Sequence, residues 1–350
     1  MPPLKADLPA FTGLRGIAAL LVLFFHVRTP IGAELTFGIA DPFSVLGFLG
    51  VDLFFVLSGF ILSHVYGEQF SKSIDSEALK EFAVARFARI YPLHVVTLGL
   101  MLIAYAVASN AGVTPSVSGN SLTSTILSLL LIQEWFGVVG PNPGAWSVSV
   151  ELMNYIVFPF FVAAMAKMPR YWPFFAIVLG AIVAQLPSGT NLPHGVAEFA
   201  MGCAAYYAAK NYRMPLALPL SGAFFALPFL VFYWTGFGGF GFPALCFTAS
   251  IYFLAISPPR DPFAWLCMRR PIVFIGEISY SLYLLQWFVW IGWKHVIGKL
   301  PFFSSHPYLM VTLASASLIA LSVCSYYFFE KPCRSWLRNN LVSRPERAAA

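Results

Sequence analysis

The chain has 350 residues, of which 59% are hydrophobic and only 10% are charged, and its net charge is +6. Soluble domains carry about 25% charged residues, so this composition excludes an ordinary water-soluble fold. The basic residues lie in short loops without interleaved aromatic residues, and the positive charge therefore does not indicate nucleic-acid binding.

Ten continuous apolar segments are each long enough to cross a membrane as a helix. Only helices and closed barrels satisfy backbone polar groups in lipid, and continuous rather than alternating apolar runs favour helices. The predicted spans lie at about 11–28, 43–66, 88–108, 146–166, 171–187, 193–209, 215–234, 240–257, 272–293 and 308–330. An eleventh stretch, 122–136, is short for a span and is predicted to be re-entrant or interfacial.

The distribution of Lys and Arg predicts that both termini are cytoplasmic. With ten spans, all but three of the 21 basic residues fall on the cytoplasmic side, the exceptions being Arg28, Lys294 and Lys299. Counting 122–136 as a span would reverse the predicted side of the membrane for every later loop, and the excess of basic residues on one side would disappear. We therefore predict an all-α polytopic membrane protein with a single domain (1–350), a core at about 11–334 and a basic C-terminal tail at 335–350.

The first predicted span is apolar from Leu14 to Val27 except for Arg15 and His26. These two residues are eleven apart, which places them on one stripe of a helix with a rise of about 16 Å between them. Ionisable groups inside a membrane helix are costly and indicate function by default. The alternative is that Arg15 snorkels to headgroups and His26 is a satisfied interior histidine.

Asp52 is the one charged residue of the second predicted span, and it is expected in the outer half of the membrane, like His26. A carboxylate there could orient an imidazole and stabilise its protonated form. The alternative is a packing ion pair with Arg28 or another cation.

Arg86 and Arg89 precede the third span and are three residues apart, so they share a face if that segment is helical. Arginine pairs suit phosphate because they form bidentate hydrogen bonds. Ordinary anchoring at the cytoplasmic surface explains the same residues, and on their spacing alone it is the favoured interpretation.

The fourth span opens with Trp146, Ser147 and Glu151 on the outer side. Trp146 fits an interfacial aromatic belt. Ser147 and Glu151 are four apart and share a helical face, with Glu151 about one turn inside the membrane. His26, Asp52 and Glu151 are then outer-half polar groups on three different helices.

Several other polar residues receive structural interpretations. Glu330 is predicted to pair with an inner arginine at a helix end. His194, His295 and His306 are expected on a solvated outer face. The five cysteines are scattered without metal-ligand spacing, and no metal is expected.

The chain resembles the acyltransferase 3 family of integral membrane acyltransferases from Leu14 to about Arg334. The resemblance rests on several segments in order, namely LRGIAALLVLFFH, GFLGVDLFFVLSGFIL, ARFARIYPLH, WSVSVE, GEISYSLYL and FFEKPCR. It implies an enzyme of the bacterial inner membrane that acylates a carbohydrate or glycolipid, with acetyl-CoA as the donor. Arg15, Arg86 and Arg89 would then hold the phosphates of the donor.

The resemblance also implies roles for the outer residues. His26 would act as general base on the acceptor hydroxyl or carry the acyl group covalently. Asp52 and Glu151 would orient the base or the acceptor, and Trp146 and Ser147 would contact the acceptor. The identity of the acceptor and the length of the acyl chain stay open.

One position departs from the family, because Gln286 stands after SYSLYL where a histidine is common. Glutamine cannot titrate, which puts an acid–base role there in doubt. Two other functions stay open. Buried His, Asp and Glu would also suit a proton-coupled secondary transporter, and Gln286 would suit a non-catalytic partner in polysaccharide assembly.

Overall fold

A computed structural model of the chain describes residues 8–28, 38–110, 119, 121–212, 220–236, 239–256, 261–299, 302 and 305–341. Within these ranges the chain forms helices and turns without any strand, which confirms the predicted all-α class. The α-helices are α1 (Pro9–Arg28), α2 (Asp41–Val45), α3 (Leu49–Lys72), α4 (Ser76–Asn110), α5 (Leu122–Leu129), α6 (Trp146–Lys167), α7 (Trp172–Gln185), α8 (Leu192–Asn211), α9 (Leu220–Thr235), α10 (Gly241–Ile256), α11 (Pro262–Cys267), α12 (Arg270–Lys299), α13 (Pro307–Ser325) and α14 (Lys331–Leu341).

Six helical segments in these ranges are long and apolar enough to cross a membrane. They are Pro9–Val27, Leu49–Lys72, Ser76–Asn110, Pro143–Lys167, Arg270–Lys294 and Pro307–Leu341. The apolar helices α7, α9 and α10 have 14, 16 and 16 residues, or about 21–24 Å, which is shorter than the roughly 30 Å hydrocarbon core. The described helices thus have the lengths and composition of a multi-pass membrane protein, and each of the ten predicted spans overlaps one of them.

The stretch 122–136 does not form a helix of spanning length. It folds as α5, which has eight residues and is about 12 Å long, followed by a 3-10 turn at Gln133–Phe136. His94 on α4 donates from Nε2 to the Ser128 carbonyl oxygen at 2.7 Å, which fixes α5 against the bundle. Neither piece can cross the membrane, in agreement with the non-spanning prediction.

Helix α4 starts earlier than the predicted span at 88–108, because a polar segment continues its N-terminal end. The Asp75 carboxylate caps this helix by accepting the Ala78 N–H at 2.8 Å. Such hydrogen bonds stabilise the charged form and lower the pKa of Asp75 below its ordinary value. The extension holds Arg86 and Arg89 on a continuous helix, one turn apart.

Two helix pairs pack so closely that their backbones touch. On α12, a β-carbon added to Gly276 would lie 1.9 Å from the Thr12 carbonyl oxygen of α1. On α8, a β-carbon added to Gly202 would lie 1.8 Å from the Val56 carbonyl oxygen of α3. Small residues allow such approach in membrane bundles, where dispersion contacts rather than hydrophobic burial hold helices together.

Replacing Gly202 with alanine is expected to destabilise the protein by about 3 kcal/mol, since the new methyl group must push α8 away from the Val56 carbonyl. The measurement is the thermal midpoint of the detergent-purified protein by size-exclusion chromatography. Gly99→Ala on α4 is the matched control, because a β-carbon there meets no atom within 4 Å, and we expect its midpoint to be unchanged or slightly raised. Equal midpoints for the two variants would contradict the close-packing explanation.

A π-helical turn at Tyr326–Glu330 joins α13 to α14. Glu330 is buried and accepts hydrogen bonds from Ser281 and Arg334, and its carboxylate lies 3.2 Å from the Arg334 guanidinium. The predicted pairing of Glu330 with an arginine at a helix end is therefore confirmed, and the bond from Ser281 ties the start of α14 to α12.

Candidate active site

A cavity of about 130 Å³ lies inside the bundle between α1, α3, α4, α6 and α12. Five of the eight predicted site residues line it, namely Arg15, Arg86, Arg89, Ser147 and Glu151. The residues between them are mostly aliphatic and aromatic. The structure thus brings together three cations, a carboxylate and a hydroxyl group from helices that are far apart in the sequence.

Arg15 is fixed by the close contact between α1 and α12. Its Nε donates to the Gly276 carbonyl oxygen at 2.9 Å, and this glycine is the one whose missing β-carbon lets the two helices touch. The bond uses the Nε donor and leaves both terminal nitrogens of the guanidinium without a hydrogen bond in the described residues. They are free to bind an anion in the cavity.

Arg86 is held by aromatic side chains rather than by a carboxylate. Its Nη2 donates to the Tyr66 hydroxyl at 3.2 Å, and its guanidinium carbon lies 5.3 Å from the Tyr66 ring centroid and 5.8 Å from that of Tyr155. Its Nε is buried without a hydrogen-bond partner in the described structure. Cation–π contacts of this kind orient a guanidinium while its remaining donors stay available.

Glu151 receives two hydrogen bonds from neutral donors. The Ser58 hydroxyl donates at 2.9 Å and the Tyr155 hydroxyl at 2.6 Å, both to Oε1. These bonds stabilise a carboxylate inside the bundle, where no ion pair to Glu151 occurs among the described residues. Tyr155 therefore links Glu151 to Arg86 by contacting both.

A hydrogen bond between α6 and α12 closes one side of the cavity. The Ser147 hydroxyl donates to the Tyr283 hydroxyl at 2.8 Å, and both side chains are buried. Tyr283 was not singled out in the sequence. Its place in SYSLYL, one of the segments that carry the family resemblance, was the available signal.

His26 lies on the same helix as Arg15, as predicted, but it does not line this cavity. Its Nδ1 lies 2.8 Å from the Val22 carbonyl oxygen. Because a carbonyl oxygen only accepts, Nδ1 must carry the hydrogen, and Nε2 is then the free basic nitrogen of a neutral ring. The imidazole makes edge contacts with Phe25 and Trp287, with centroid distances of 5.1 and 5.2 Å.

Asp52 makes no hydrogen bond or ion pair with His26 in the described structure; the Val22 carbonyl takes the orienting position on Nδ1. Asp52 instead lies with His194 and Glu198 of α8. One carboxylate oxygen of each acidic residue and one ring nitrogen of His194 lie within 4.8 Å of one another. The side chain of Arg28, the other predicted partner of Asp52, lies outside the described residues.

The predicted solvated position of His194 is wrong. Its side chain is only 5% exposed, and its ring stacks on Phe240 with a centroid distance of 4.4 Å. The residue falls inside α8 rather than in a loop. His306 is exposed, as predicted, and the side chain of His295 lies outside the described residues.

Trp146 packs inside the bundle, next to the group formed by Asp52, His194 and Glu198. Its ring centroid lies 6.1 Å from that of Phe55 and 6.4 Å from that of His194.

Gln286 is fully buried, and neither amide atom has a hydrogen-bond partner in the described residues.

The fold and the cavity define a helical membrane protein of multi-pass type with a charged site inside its bundle. A family profile described as an acyltransferase domain matches residues 8–328. The chain therefore belongs to the acyltransferase 3 family.

Three relatives that are named as acyltransferases are longer than the region they share with this chain. The chain is 34% identical to acyltransferase MdmB of Streptomyces mycarofaciens over 212 residues, covering 58% of this chain and 51% of MdmB. It is 24% identical to the peptidoglycan O-acetyltransferase OatA of Listeria monocytogenes over 381 residues, covering 93% of this chain and 56% of that OatA. It is also 24% identical to the O-acetyltransferase OatA of Staphylococcus aureus over 374 residues, covering 93% of this chain and 57% of that OatA. The chain thus spans about half the length of these relatives, and no solved structure matches it.

Proposed function

We propose that this chain is a membrane-bound O-acyltransferase that moves an acetyl group from cytoplasmic acetyl-CoA to a hydroxyl of a glycan or glycolipid on the other side of the membrane. The observation that carries the proposal is the cavity lined by Arg15, Arg86 and Arg89, with Arg15 on the helix that also bears His26. The family and the O-acetyltransferase names of its relatives support the reaction class.

The proposal includes ten spans in the bacterial inner membrane with both termini in the cytoplasm. The charge bias of the loops supports this orientation. With that orientation the end of the bundle that carries Arg86 faces the donor. Helices shorter than the hydrocarbon core, such as α7, cross it where the bilayer thins locally.

The donor phosphates bind at the arginines and at a second, basic cavity next to them. This cavity, of about 540 Å³, is lined by Tyr66, Lys331, Arg334 and Arg338 among others. The hydrogen bond between Arg86 and Tyr66 connects the linings of the two cavities. Coenzyme A carries several phosphate groups, and clustered guanidinium groups recognise phosphate by bidentate hydrogen bonds.

The pantetheine arm extends from the arginines through the cavity, past Ser147 and Tyr283, towards His26, which lies beyond the cavity lining. His26 Nε2 takes the proton of the acceptor hydroxyl, whose oxygen attacks the thioester carbonyl. The carbon–sulfur bond then breaks, and the coenzyme A sulfur leaves with its electron pair and takes up the proton that His26 accepted. The Val22 carbonyl holds the Nδ1 hydrogen throughout, which keeps Nε2 basic. Attack by His26 itself to give an acyl-imidazole is the covalent version of the same transfer.

Glu151, Trp146 and Ser147 act on the acceptor in this proposal. Glu151, oriented by Ser58 and Tyr155, accepts a hydrogen bond from an acceptor hydroxyl. Trp146 offers an aromatic face to a sugar ring. Ser147 exchanges its bond to Tyr283 for one to the acceptor.

The deciding experiment compares donor binding with transport. We expect the detergent-purified chain to bind a non-hydrolysable acetyl-CoA analogue by calorimetry, and vesicles containing it to deliver label from external acetyl-CoA to a glycan fraction. Deletion of the gene should remove one acetyl increment from an envelope glycan by mass spectrometry. Accumulation of a soluble label inside the vesicles, without analogue binding, would favour the proton-coupled transporter instead.

A further inference from the structure

A second group of polar residues lies between α3 and α8, outside the cavity that holds the arginines. It consists of Asp52, His194 and Glu198, which are 2%, 5% and 0% exposed. Each residue offers one ligand atom, and these atoms are all within 4.8 Å of one another. His194 and Glu198 are four apart on α8, so both side chains point to the same side of the helix.

The carboxylates of this cluster are not satisfied by the protein. Both oxygens of Glu198 and Oδ2 of Asp52 are buried and have no hydrogen-bond partner in the described part of the chain. No ion pair with Lys or Arg joins either residue there. Buried carboxylates are normally paired, hydrogen-bonded or bound to metal, because an isolated charge in an apolar interior is very costly.

The backbone holds these side chains together firmly. Gly59 and Gly202 bring α3 and α8 into backbone contact, and a β-carbon on Gly59 would lie 2.0 Å from the Phe199 carbonyl oxygen. Asp52 lies two turns before Gly59, and Glu198 one turn before Gly202. The cluster therefore cannot relax by separation of the two helices without losing their contact.

We infer that Asp52, His194 and Glu198 form a binding site for one divalent transition-metal ion, with Zn²⁺ as the best match. Two carboxylates balance the charge of the ion, and the neutral imidazole supplies a nitrogen ligand. Three protein ligands leave one tetrahedral position for water or another oxygen donor. The stacking of the His194 ring on Phe240 restricts its rotation, and a ring nitrogen lies within 4.8 Å of a carboxylate oxygen of each acidic residue.

The test is metal binding by the purified full chain, prepared with an affinity tag that contains no histidine. The protein in detergent is stripped with a chelator, incubated with Zn²⁺, desalted and analysed by inductively coupled plasma mass spectrometry. We expect about one Zn²⁺ per chain, and a loss of affinity on the order of tenfold or more for Glu198→Gln and for Asp52→Asn.

Asp261→Asn is the matched control, because Asp261 is also a buried carboxylate but serves as the N-terminal cap of α11. It should bind Zn²⁺ like the unmodified chain. Absence of bound Zn²⁺ in the unmodified chain, or equal binding by all four proteins, would overturn the metal site. Asp52 and Glu198 would then be a pair of buried carboxyl groups that share protons.

If the ligand variants fail to fold, X-ray absorption of the Zn²⁺-loaded unmodified chain decides the question. A first shell of nitrogen and oxygen with one imidazole supports the site, and a shell containing sulfur or no imidazole overturns it. Every readout is metal binding, so the result is independent of whether the chain transfers acetyl groups.

Discussion

Replacing His26 with alanine is expected to abolish acyl transfer, while the protein still inserts into the membrane. Without the imidazole no group with a suitable pKa is left at this position to accept the hydroxyl proton, and general-base catalysis contributes about 10²–10⁴-fold, or about 3–5 kcal/mol of the barrier. A covalent acyl-imidazole would make the loss larger, because the step itself disappears. The measurement is the acetyl content of envelope glycans by mass spectrometry in a deletion strain that expresses the variant.

Two further variants separate the chemistry of His26 from its packing against Phe25 and Trp287. His26→Gln keeps most of the side-chain volume but cannot take up a proton, so it should be as inactive as the alanine variant. His306→Ala removes an exposed histidine and should be as active as the unmodified chain. Normal glycan acetylation by His26→Gln, at equal amounts of protein in the membrane, would refute the assignment of the base.

Replacing Arg86 with alanine is expected to raise the KM for acetyl-CoA by about 10–100-fold, while the KM for the acceptor changes little. Hydrogen bonds to charged groups contribute about 1.5–3 kcal/mol each, and the cation–π contacts with Tyr66 and Tyr155 hold the guanidinium ready for them. The measurement is the initial rate at varied donor concentration in proteoliposomes. Arg86→Lys should restore only part of the donor affinity, because an ammonium cannot bind phosphate in a bidentate manner.

The control for this experiment is Arg170→Ala. Arg170 also lies over a tyrosine ring, at 5.8 Å from the Tyr212 centroid, and also donates to an oxygen, the Asn211 carbonyl. It does not line either cavity. We expect its donor KM to be unchanged. If both variants raised the donor KM equally, the effect of Arg86 would reflect the general positive charge of the protein rather than a specific contact with the donor phosphates.

Much of the site could be predicted because membrane helices constrain their residues so strongly. The apolar runs predicted where the helices lie, including the single helix that carries both Arg15 and His26. Arg86, Arg89 and Glu151 stood out because a charged residue inside or beside a span is costly unless it has a function. These inferences need only local periodicity and the thickness of the bilayer.

The partners of these residues could not be predicted, and Asp52 shows why. The pairing of α3 with α8 depends on Gly59 and Gly202, whose missing side chains let two segments far apart in the sequence touch. No local pattern encodes which glycine meets which carbonyl. That contact buries His194 and places Glu198 beside Asp52, so the structure surrounds Asp52 with residues other than His26.

The sequence by itself determined the class of fold, the places of the helices and the charged residues that would be costly in lipid, because each of these follows from hydropathy and helical spacing along one segment. The tertiary structure alone decided which charges share a cavity, which oxygen orients His26 and which carboxylates are left unsatisfied. These depend on side-chain packing between helices, and shape complementarity across such contacts is a property of pairs of segments rather than of either segment alone.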